Sequence, residues 1–255
     1  MYAAKRHHIG AALGTHWRLE NHLVDVEPAL SLLARRSSQR VGKGLSMKIA
    51  LAIVAKAPLP GLAKTRLART VGDEAAAAVA EQLLRHTLQT AVSTGLTVTL
   101  YGTPTQSPLL CELTEQAGVR LRDQVEGDLG DRLAVLVKQE LCQHDGVLVI
   151  GSDCPALTSE RLQLAAQQLR HHDAVIYPAL DGGYTLMGLK HCPPSFFNEM
   201  PWSTAEVLPV ALGRMQRLGW KVWQGTALAD IDSYEDLIYL PQDWPRPRAL
   251  VEQTG

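Results

Sequence analysis

Net charge is what this sequence most lacks. Its 25 Lys/Arg and 26 Asp/Glu leave a formal charge of -1, so no global field favours nucleic acid or a membrane surface, and any anion must be held by a local cluster. Its four cysteines, Cys111, Cys142, Cys154 and Cys192, form no C-x-x-C pair. That excludes a zinc ribbon or a thioredoxin-type motif and leaves reduced, mostly structural thiols. No apolar run reaches the ~18 residues of a membrane span. The basic start, Lys5-Arg6-His7-His8, precedes an apolar stretch from Ile9 to Leu13 that is too short for a signal peptide. These absences predict a cytoplasmic protein with neither nucleic acid nor membrane among its partners. What is present, 46% hydrophobic residues in a chain of 255, is enough to bury one sizeable core.

The charge is also uneven. Residues 1–46 carry seven Lys/Arg against three Asp/Glu and lack a sustained period. They end in the linker-like run Arg35-Arg36-Ser37-Ser38-Gln39-Arg40-Val41-Gly42-Lys43-Gly44. This segment reads as an N-terminal extension, either upstream of a true start at Met47 or a basic interaction arm. From Met47 the pattern alternates. Strands are expected at Ile49–Val54, Thr97–Tyr101, Val147–Ile150, Ala174–Tyr177 and Tyr184–Leu189. Helices are expected at Asp73–Val92, with Asp73 as cap, and at Asp131–Cys142, Ser159–Leu169 and Thr204–Leu218, with Pro209 marking a kink or a later start. Apolar strands alternating with helices predict an α/β fold with a mostly parallel mixed sheet and helices on both faces. The short Gly-rich link between the last two strands makes that pair antiparallel or displaced, since a parallel crossover needs a dozen or more residues. One domain over 47–240 and a C-terminal tail over 241–255 follow.

Ligands of open α/β sheets bind beyond the carboxyl ends of the strands, so the residues after each strand carry the functional expectations. The first strand leads into Lys56-Ala57-Pro58-Leu59-Pro60-Gly61-Leu62-Ala63-Lys64-Thr65-Arg66. Prolines such as Pro60 stiffen this loop, and Gly61 allows close backbone approach. Arg66 offers a fork for phosphate while Lys56 and Lys64 offer point charges. The spacing is not that of a Walker A loop. Val147–Ile150 delivers Gly151-Ser152-Asp153-Cys154-Pro155, where Asp153 suits Mg²⁺ or Mn²⁺, or a plain Asx turn, and Cys154 reads as packing. Asp181-Gly182-Gly183-Tyr184 is either a tight turn or an acceptor contact in which the glycines permit close approach and Asp181 is the candidate base. Asp232 is expected as a second metal carboxylate, with Asp230 the runner-up. The same stretch also fits a capping box in which Asp232 or Ser233 caps and Glu235 or Asp236 sits at N3. Gly127, Asp128 and Gly130 open a helix and offer a cradle for a base or ribose. Trp202 is placed to close over an acceptor or to pack in the core.

Together these segments, K-x-P-x-P-G-x-x-K-T-R-L, G-D-L-G-x-R, G-S-D-C-P, D-G-G-Y, W-S-T and D-I-D-x-x-E-D-L, resemble a bacterial GT-A-type family labelled arsenosugar-biosynthesis or radical-SAM/selenodomain-associated glycosyltransferases. They are similar, more distantly, to molybdenum-cofactor and 2-phospholactate guanylyltransferases. The likeness covers about residues 48–240. It implies a single-domain, Rossmann-like nucleotide-diphospho-sugar transferase fold. It also implies nucleotide phosphates at Lys56, Gly61, Lys64 and Arg66, a metal at Asp153 and a second acidic ligand at Asp232. Glycosyltransferases of this fold usually show D-x-D, whereas Gly151-Ser152-Asp153 supplies one carboxylate. Three readings therefore stand. The first is metal-dependent glycosyl transfer from a nucleotide sugar to a small-molecule acceptor, with Lys64 and Asp181 as catalytic groups. The second is nucleotidyl transfer from a nucleoside triphosphate to a phosphorylated acceptor. The third is a non-catalytic nucleotide-binding protein.

Overall fold

The structure, a computed structural model, describes residues 47–244. The expectations for residues 1–46 and for the tail from 245 onward lie outside the described residues. In chain order the described elements are β1 (Ile49–Lys56), α1 (Thr65–Val71), α2 (Asp73–Ser93), β2 (Thr97–Thr103), α3 (Pro108–Ala117), β3 (Arg120–Asp123), α4 (Leu129–Leu141), β4 (Gly146–Ile150), α5 (Ser159–His171), β5 (Ala174–Pro178), β6 (Tyr184–Leu189), α6 (Val207–Arg217) and β7 (Val222–Gln224). A short 3₁₀ helix follows at Glu235–Tyr239.

The strands form one sheet in the order β3-β2-β1-β4-β6-β5-β7. β1 pairs in parallel with β2 and β4, β2 with β3, and β5 with β7. β6 runs antiparallel to both β4 and β5, as the short link before it required. The chain steps outward from β1 to β2 and β3, then returns through α4 to place β4 on the other side of β1. The strand order therefore reverses between β1 and β4, and a crevice opens there beyond their carboxyl ends.

Strand alternation builds two cores. Ile49, Leu51 and Ile53 of β1 join Leu84 and Leu88 of α2 and Leu162 and Leu169 of α5 on one face. Ala50 and Ala52 join Leu133, Leu136 and Val137 of α4 and Ala211 and Met215 of α6 on the other. A third cluster matters for the crevice. Leu67 of α1 and Ala76, Val79 and Leu83 of α2 enclose Ile231, Leu237 and Leu240, so apolar burial holds the C-terminal segment against the start of the fold.

Several local expectations are corrected. β3 and β7 are edge strands that the apolar pattern did not reveal. β3 reads Arg-Leu-Arg-Asp, and charged residues are typical of exposed edges. α1 and α3 were also not expected, although Ser107 followed by Pro108 at the first position of α3 is a recognisable start signal. Asp73 does not cap α2; it is the first helical residue, behind Gly72. α4 begins at Leu129, two residues before the expected start, because Asp128 is the N-cap and shares a reciprocal capping box with Asp131. Pro209 lies in the first turn of α6, where no intrahelical N–H is required of it, so the later start holds and no kink is needed.

Candidate active site at the β1–β4 crevice

The loop after β1 folds back on itself through Leu62 N–H to Leu59 O (3.0 Å) and Ala63 N–H to Leu59 O (3.3 Å). It ends at Lys64, whose backbone is left-handed (φ 52, ψ 43) at the N-cap of α1. This conformation is uncommon for a residue with a side chain and is held here by its surroundings. It turns the lysine side chain inward, with only 6% of it exposed. The ammonium Nζ lies 2.5 Å from Asp153 Oδ1 and 3.1 Å from Asp232 Oδ1. Burial alone would lower the Lys64 pKa, but the two carboxylates outweigh it and hold the ammonium above its ordinary value.

Each carboxylate is positioned by its own element. Asp153 follows β4, and its carbonyl accepts from Ile231 N–H at 2.9 Å. That bond docks the C-terminal segment beside the β4 loop. A further bridge between Ala179 and Leu228 continues the alignment along the end of β5. Asp232 is aimed by Asp236, not by a cap of its own. Asp236 Oδ2 accepts from Ser233 N–H (2.7 Å), Ser233 Oγ–H (2.9 Å) and Asp232 N–H (3.0 Å). Of the expected capping box only the returning half forms: Asp236, three residues after Ser233, accepts from its N–H, no side chain caps the helix start, and the carboxylate of Asp232 is left to face the crevice. Asp230 lies behind it. Burial, and then the charges of Asp181, Asp232 and Asp153, push its carboxyl up to about 6.

Two cavities meet here. One, of about 350 Å³, is lined by Lys56, Lys64, Arg66, Gln124, Arg132 and Asp153 among others. The other, of about 290 Å³, is lined by Leu133, Asp181, Tyr184, Trp202, Thr204 and Val207 among others. Val54, Leu129 and Asp153 belong to both. The first is cationic and the second is largely apolar. Two polar atoms of residues lining the second, Tyr184 Oη and Trp202 Nε1, are buried and have no hydrogen-bond partner among the described residues. Burial also raises the Tyr184 phenol pKa.

The structure brings together Lys56, Lys64, Arg66, Asp153 and Asp232 on the cationic side, and Asp181, Gly183, Tyr184 and Trp202 on the other. Arg66 is 59% exposed, with one guanidinium nitrogen 4.0 Å from Asp232 Oδ2, and among the described residues no hydrogen bond holds its fork. Asp181 Oδ1 accepts from Gly183 N–H at 2.9 Å; the turn and the site therefore use the same residue. Other expected residues lie outside the two cavities. Pro60 and Gly61 shape the loop but do not line the cavities. Gly127, Asp128 and Gly130 line neither cavity. Asp128 Oδ1 caps α4, and Gly130 is buried where a Cβ would stand 2.7 Å from Phe197 O and 3.3 Å from Trp202 Nε1. Leu129 and Arg132 line the cavity at that point. Gly182 likewise faces protein: a Cβ there would stand 2.5 Å from Ala205 Cα. Arg132 closes the G-D-L-G-x-R segment, so its motif position is the signal that marks it. Gln124 follows a strand that the sequence did not reveal. Cys154 is buried, and its thiol is pushed up to about 11, chiefly by burial, as a packing residue requires.

Among the described residues no group of three His, Cys, Asp or Glu side chains is arranged to hold a metal ion, and none of the helices is long and apolar enough to cross a membrane.

Residues 84–204 match the model of a family described as an uncharacterized protein conserved in bacteria (DUF2064). A comparison with curated proteins found no match. Among solved structures, the chain is similar to a candidate nucleotide-diphospho-sugar transferase from Desulfovibrio desulfuricans G20, with 27% identity and a TM-score of 0.73 over 82% of this chain and 96% of that one. It also resembles 4-diphosphocytidyl-2C-methyl-D-erythritol synthase from Anaerococcus prevotii (14% identity, TM-score 0.52, 80% and 99% covered). CMP:2-keto-3-deoxy-manno-octonic acid synthetase, solved with CTP, is a third match (12% identity, TM-score 0.51, 82% and 100% covered). The chain has the nucleotide-diphospho-sugar transferase fold.

Proposed function

We propose that the chain is a transferase that moves a sugar from a nucleotide-sugar donor to a small-molecule acceptor with the help of a divalent cation, Mg²⁺ or Mn²⁺. The observation that carries this reading is the meeting of Lys64 with Asp153 and Asp232 at the seam between a cationic cavity and a largely apolar one.

The residues fit a hard cation. Asp153 and Asp232 each direct one oxygen at the same ammonium, so two carboxylate oxygens already converge on one positive charge. Mg²⁺ commonly takes one or two protein carboxylates and completes its shell with phosphate and water. Asp181 and Asp230 add negative charge to the same region. A bound cation supplies neutralisation of charge on the departing diphosphate.

The chain's own groups do the rest. Lys56 and Arg66 face the diphosphate in the cationic cavity, with Arg132 alongside. Tyr184 and Trp202 wall the acceptor cavity. Asp181 keeps Oδ1 on its turn and offers Oδ2 to the acceptor. As the acceptor oxygen attacks the anomeric carbon, Asp181 takes the hydroxyl proton, the carbon–oxygen bond to the diphosphate breaks, and nucleoside diphosphate leaves. Positioning and charge neutralisation carry most of the barrier lowering.

A second reading, nucleotidyl transfer, is favoured by one feature. The β4 loop offers a single carboxylate, Asp153, and the partner oxygen comes from Asp232 on the C-terminal segment. In that reaction a phosphorylated acceptor attacks the α-phosphate of a nucleoside triphosphate and pyrophosphate leaves, which needs positioning and little proton chemistry. Incubating the protein with Mg²⁺ or Mn²⁺, candidate acceptors and panels of nucleotide sugars and nucleoside triphosphates separates the readings. Nucleoside diphosphate release supports glycosyl transfer, and pyrophosphate release supports nucleotidyl transfer. A thermal shift with nucleotide and no turnover with any donor points to a non-catalytic binding protein.

A further inference from the structure

Gln124 directly follows β3 and lines the cationic cavity. Its side-chain Nε2 donates to two main-chain carbonyls, Tyr101 O at 2.8 Å and Ala55 O at 3.1 Å. A primary amide carries two N–H hydrogens, so both are spent. The orientation is forced, because a flipped amide would set its oxygen against two carbonyl oxygens. What remains is Oε1, a pure acceptor. Among the described residues it receives no hydrogen bond, and it is not one of the buried unpartnered atoms, so it is accessible on a residue that lines the cavity.

The setting makes this oxygen informative. The cavity is lined by the cations Lys56, Arg66 and Arg132, while Lys64 is paired with the carboxylates Asp153 and Asp232 at the β4 end. Ala55 and Tyr101 belong to β1 and β2, so the amide sits one to two strand spacings from β4, roughly 5–10 Å. A nucleotide spans such an offset between its diphosphate and its nucleoside. A phosphate has no donor for Oε1; a nucleoside has several.

We propose that Gln124 Oε1 accepts a hydrogen bond from the nucleoside of the bound nucleotide, a ribose hydroxyl or a base N–H, and so selects nucleotides over bare phosphates. The inference rests on the nucleotide-binding reading above and names the residue that reads beyond the phosphates.

Calorimetry on the full chain with Mg²⁺ tests it, using UDP, CDP, GDP, ADP and inorganic pyrophosphate as ligands. In Gln124→Met, affinity for the preferred nucleoside diphosphate is expected to fall about tenfold while pyrophosphate affinity is unchanged, the size of one neutral hydrogen bond. Equal loss for both ligands marks a purely structural amide and overturns the proposal, as does unchanged nucleotide affinity. Wild-type protein supplies an arm that does not depend on the variant folding. Affinity should fall for 2′- or 3′-deoxy analogues if the ribose is read, or for base-N-methylated analogues if the base is read. No loss with either class overturns the proposal while leaving nucleotide binding intact. Wild-type protein that binds no nucleoside diphosphate overturns the underlying reading as well.

Discussion

Lys64 Nζ stands 2.5 Å from Asp153 Oδ1, an ion pair that ties the loop after β1 to the loop after β4 across the point where the strand order reverses. The same ammonium reaches Asp232, so one buried cation answers two carboxylates. Removing it leaves them facing each other. Lys64→Met should lose about 1–2 kcal/mol in urea denaturation, less than the ~3–5 of a fully buried pair because both carboxylates are over 40% exposed. Millimolar Mg²⁺ should restore part of that loss by taking the place of the ammonium. A variant whose melting temperature ignores Mg²⁺ would argue against a metal between Asp153 and Asp232.

Asp153→Asn tests the same site from the other side. It halves the charge offered to a divalent ion while leaving the Lys64 side chain a neutral partner. Nucleotide affinity measured with Mg²⁺ should fall at least tenfold, and affinity in excess chelator should hardly move. Full Mg²⁺-dependent affinity in this variant removes Asp153 from the ligand set.

Asp236 touches neither cavity and yet aims Asp232. Asp236→Ala breaks three hydrogen bonds to the 232–233 turn and should cost about 1–2 kcal/mol, with a matching drop in Mg²⁺-dependent nucleotide affinity. The effect has a pH signature. Burial opposes ionisation of Asp236, but the Ser233 and Asp232 donors and the Lys64 charge outweigh it and hold the pKa below its usual 3.8. A depressed carboxylate stabilises the fold above the unfolded-state pKa and loses that contribution as pH falls through the folded-state one. The stability gap between wild type and Asp236→Asn should therefore be full at neutral pH and close below about pH 4. A gap that persists at lower pH would show that the carboxylate charge is not what holds the turn.

How far the sequence could be read depended on whether a signal was local. β1 and β4 are central strands buried on both faces, so their apolar runs stand out, and Lys56 and Asp153 are legible because they stand at or just past the ends of those runs. β3 is an edge strand of Arg-Leu-Arg-Asp with no apolar run, and the residue behind it, Gln124, stayed hidden with it. Lys64 and Asp232 are 168 positions apart, and no periodicity joins them. Glycine was the least legible. Gly130 and Gly182 read as room for a ligand, but the space above each belongs to Phe197 and Ala205. An acidic pair such as Asp232 and Asp236 fits a cap in either direction, and only the hydrogen bonds decide which carboxylate holds the turn and which is free.

Gly182→Ala follows from that correction. The position has φ +94, and a Cβ there would meet Ala205 Cα at 2.5 Å and Ala205 O at 2.6 Å. Backbone strain and overpacking together should cost about 2 kcal/mol or more. Because Leu208 N–H donates to Gly182 O, the shift should reach the start of α6 and the 202–204 wall of the apolar cavity, which the proposed function gives to the acceptor. Acceptor KM should rise while nucleotide affinity, set on the other side of the seam, stays the same. A rise in both would mean that the two cavities do not act as separate lobes.

Asp181 separates the two chemistries. Its Oδ1 is committed to Gly183 N–H, and Asn can keep that bond through its amide oxygen while losing the basic carboxylate. Asp181→Asn should therefore fold and bind nucleotide like wild type. If a hydroxyl acceptor must be deprotonated during glycosyl transfer, kcat should fall about 10²–10⁴-fold. If a phosphate oxygen is the nucleophile, little proton transfer is needed and kcat should change only a few-fold. The turnover of one conservative variant thus discriminates sugar transfer from nucleotidyl transfer, because only sugar transfer needs the basic carboxylate that Asn lacks.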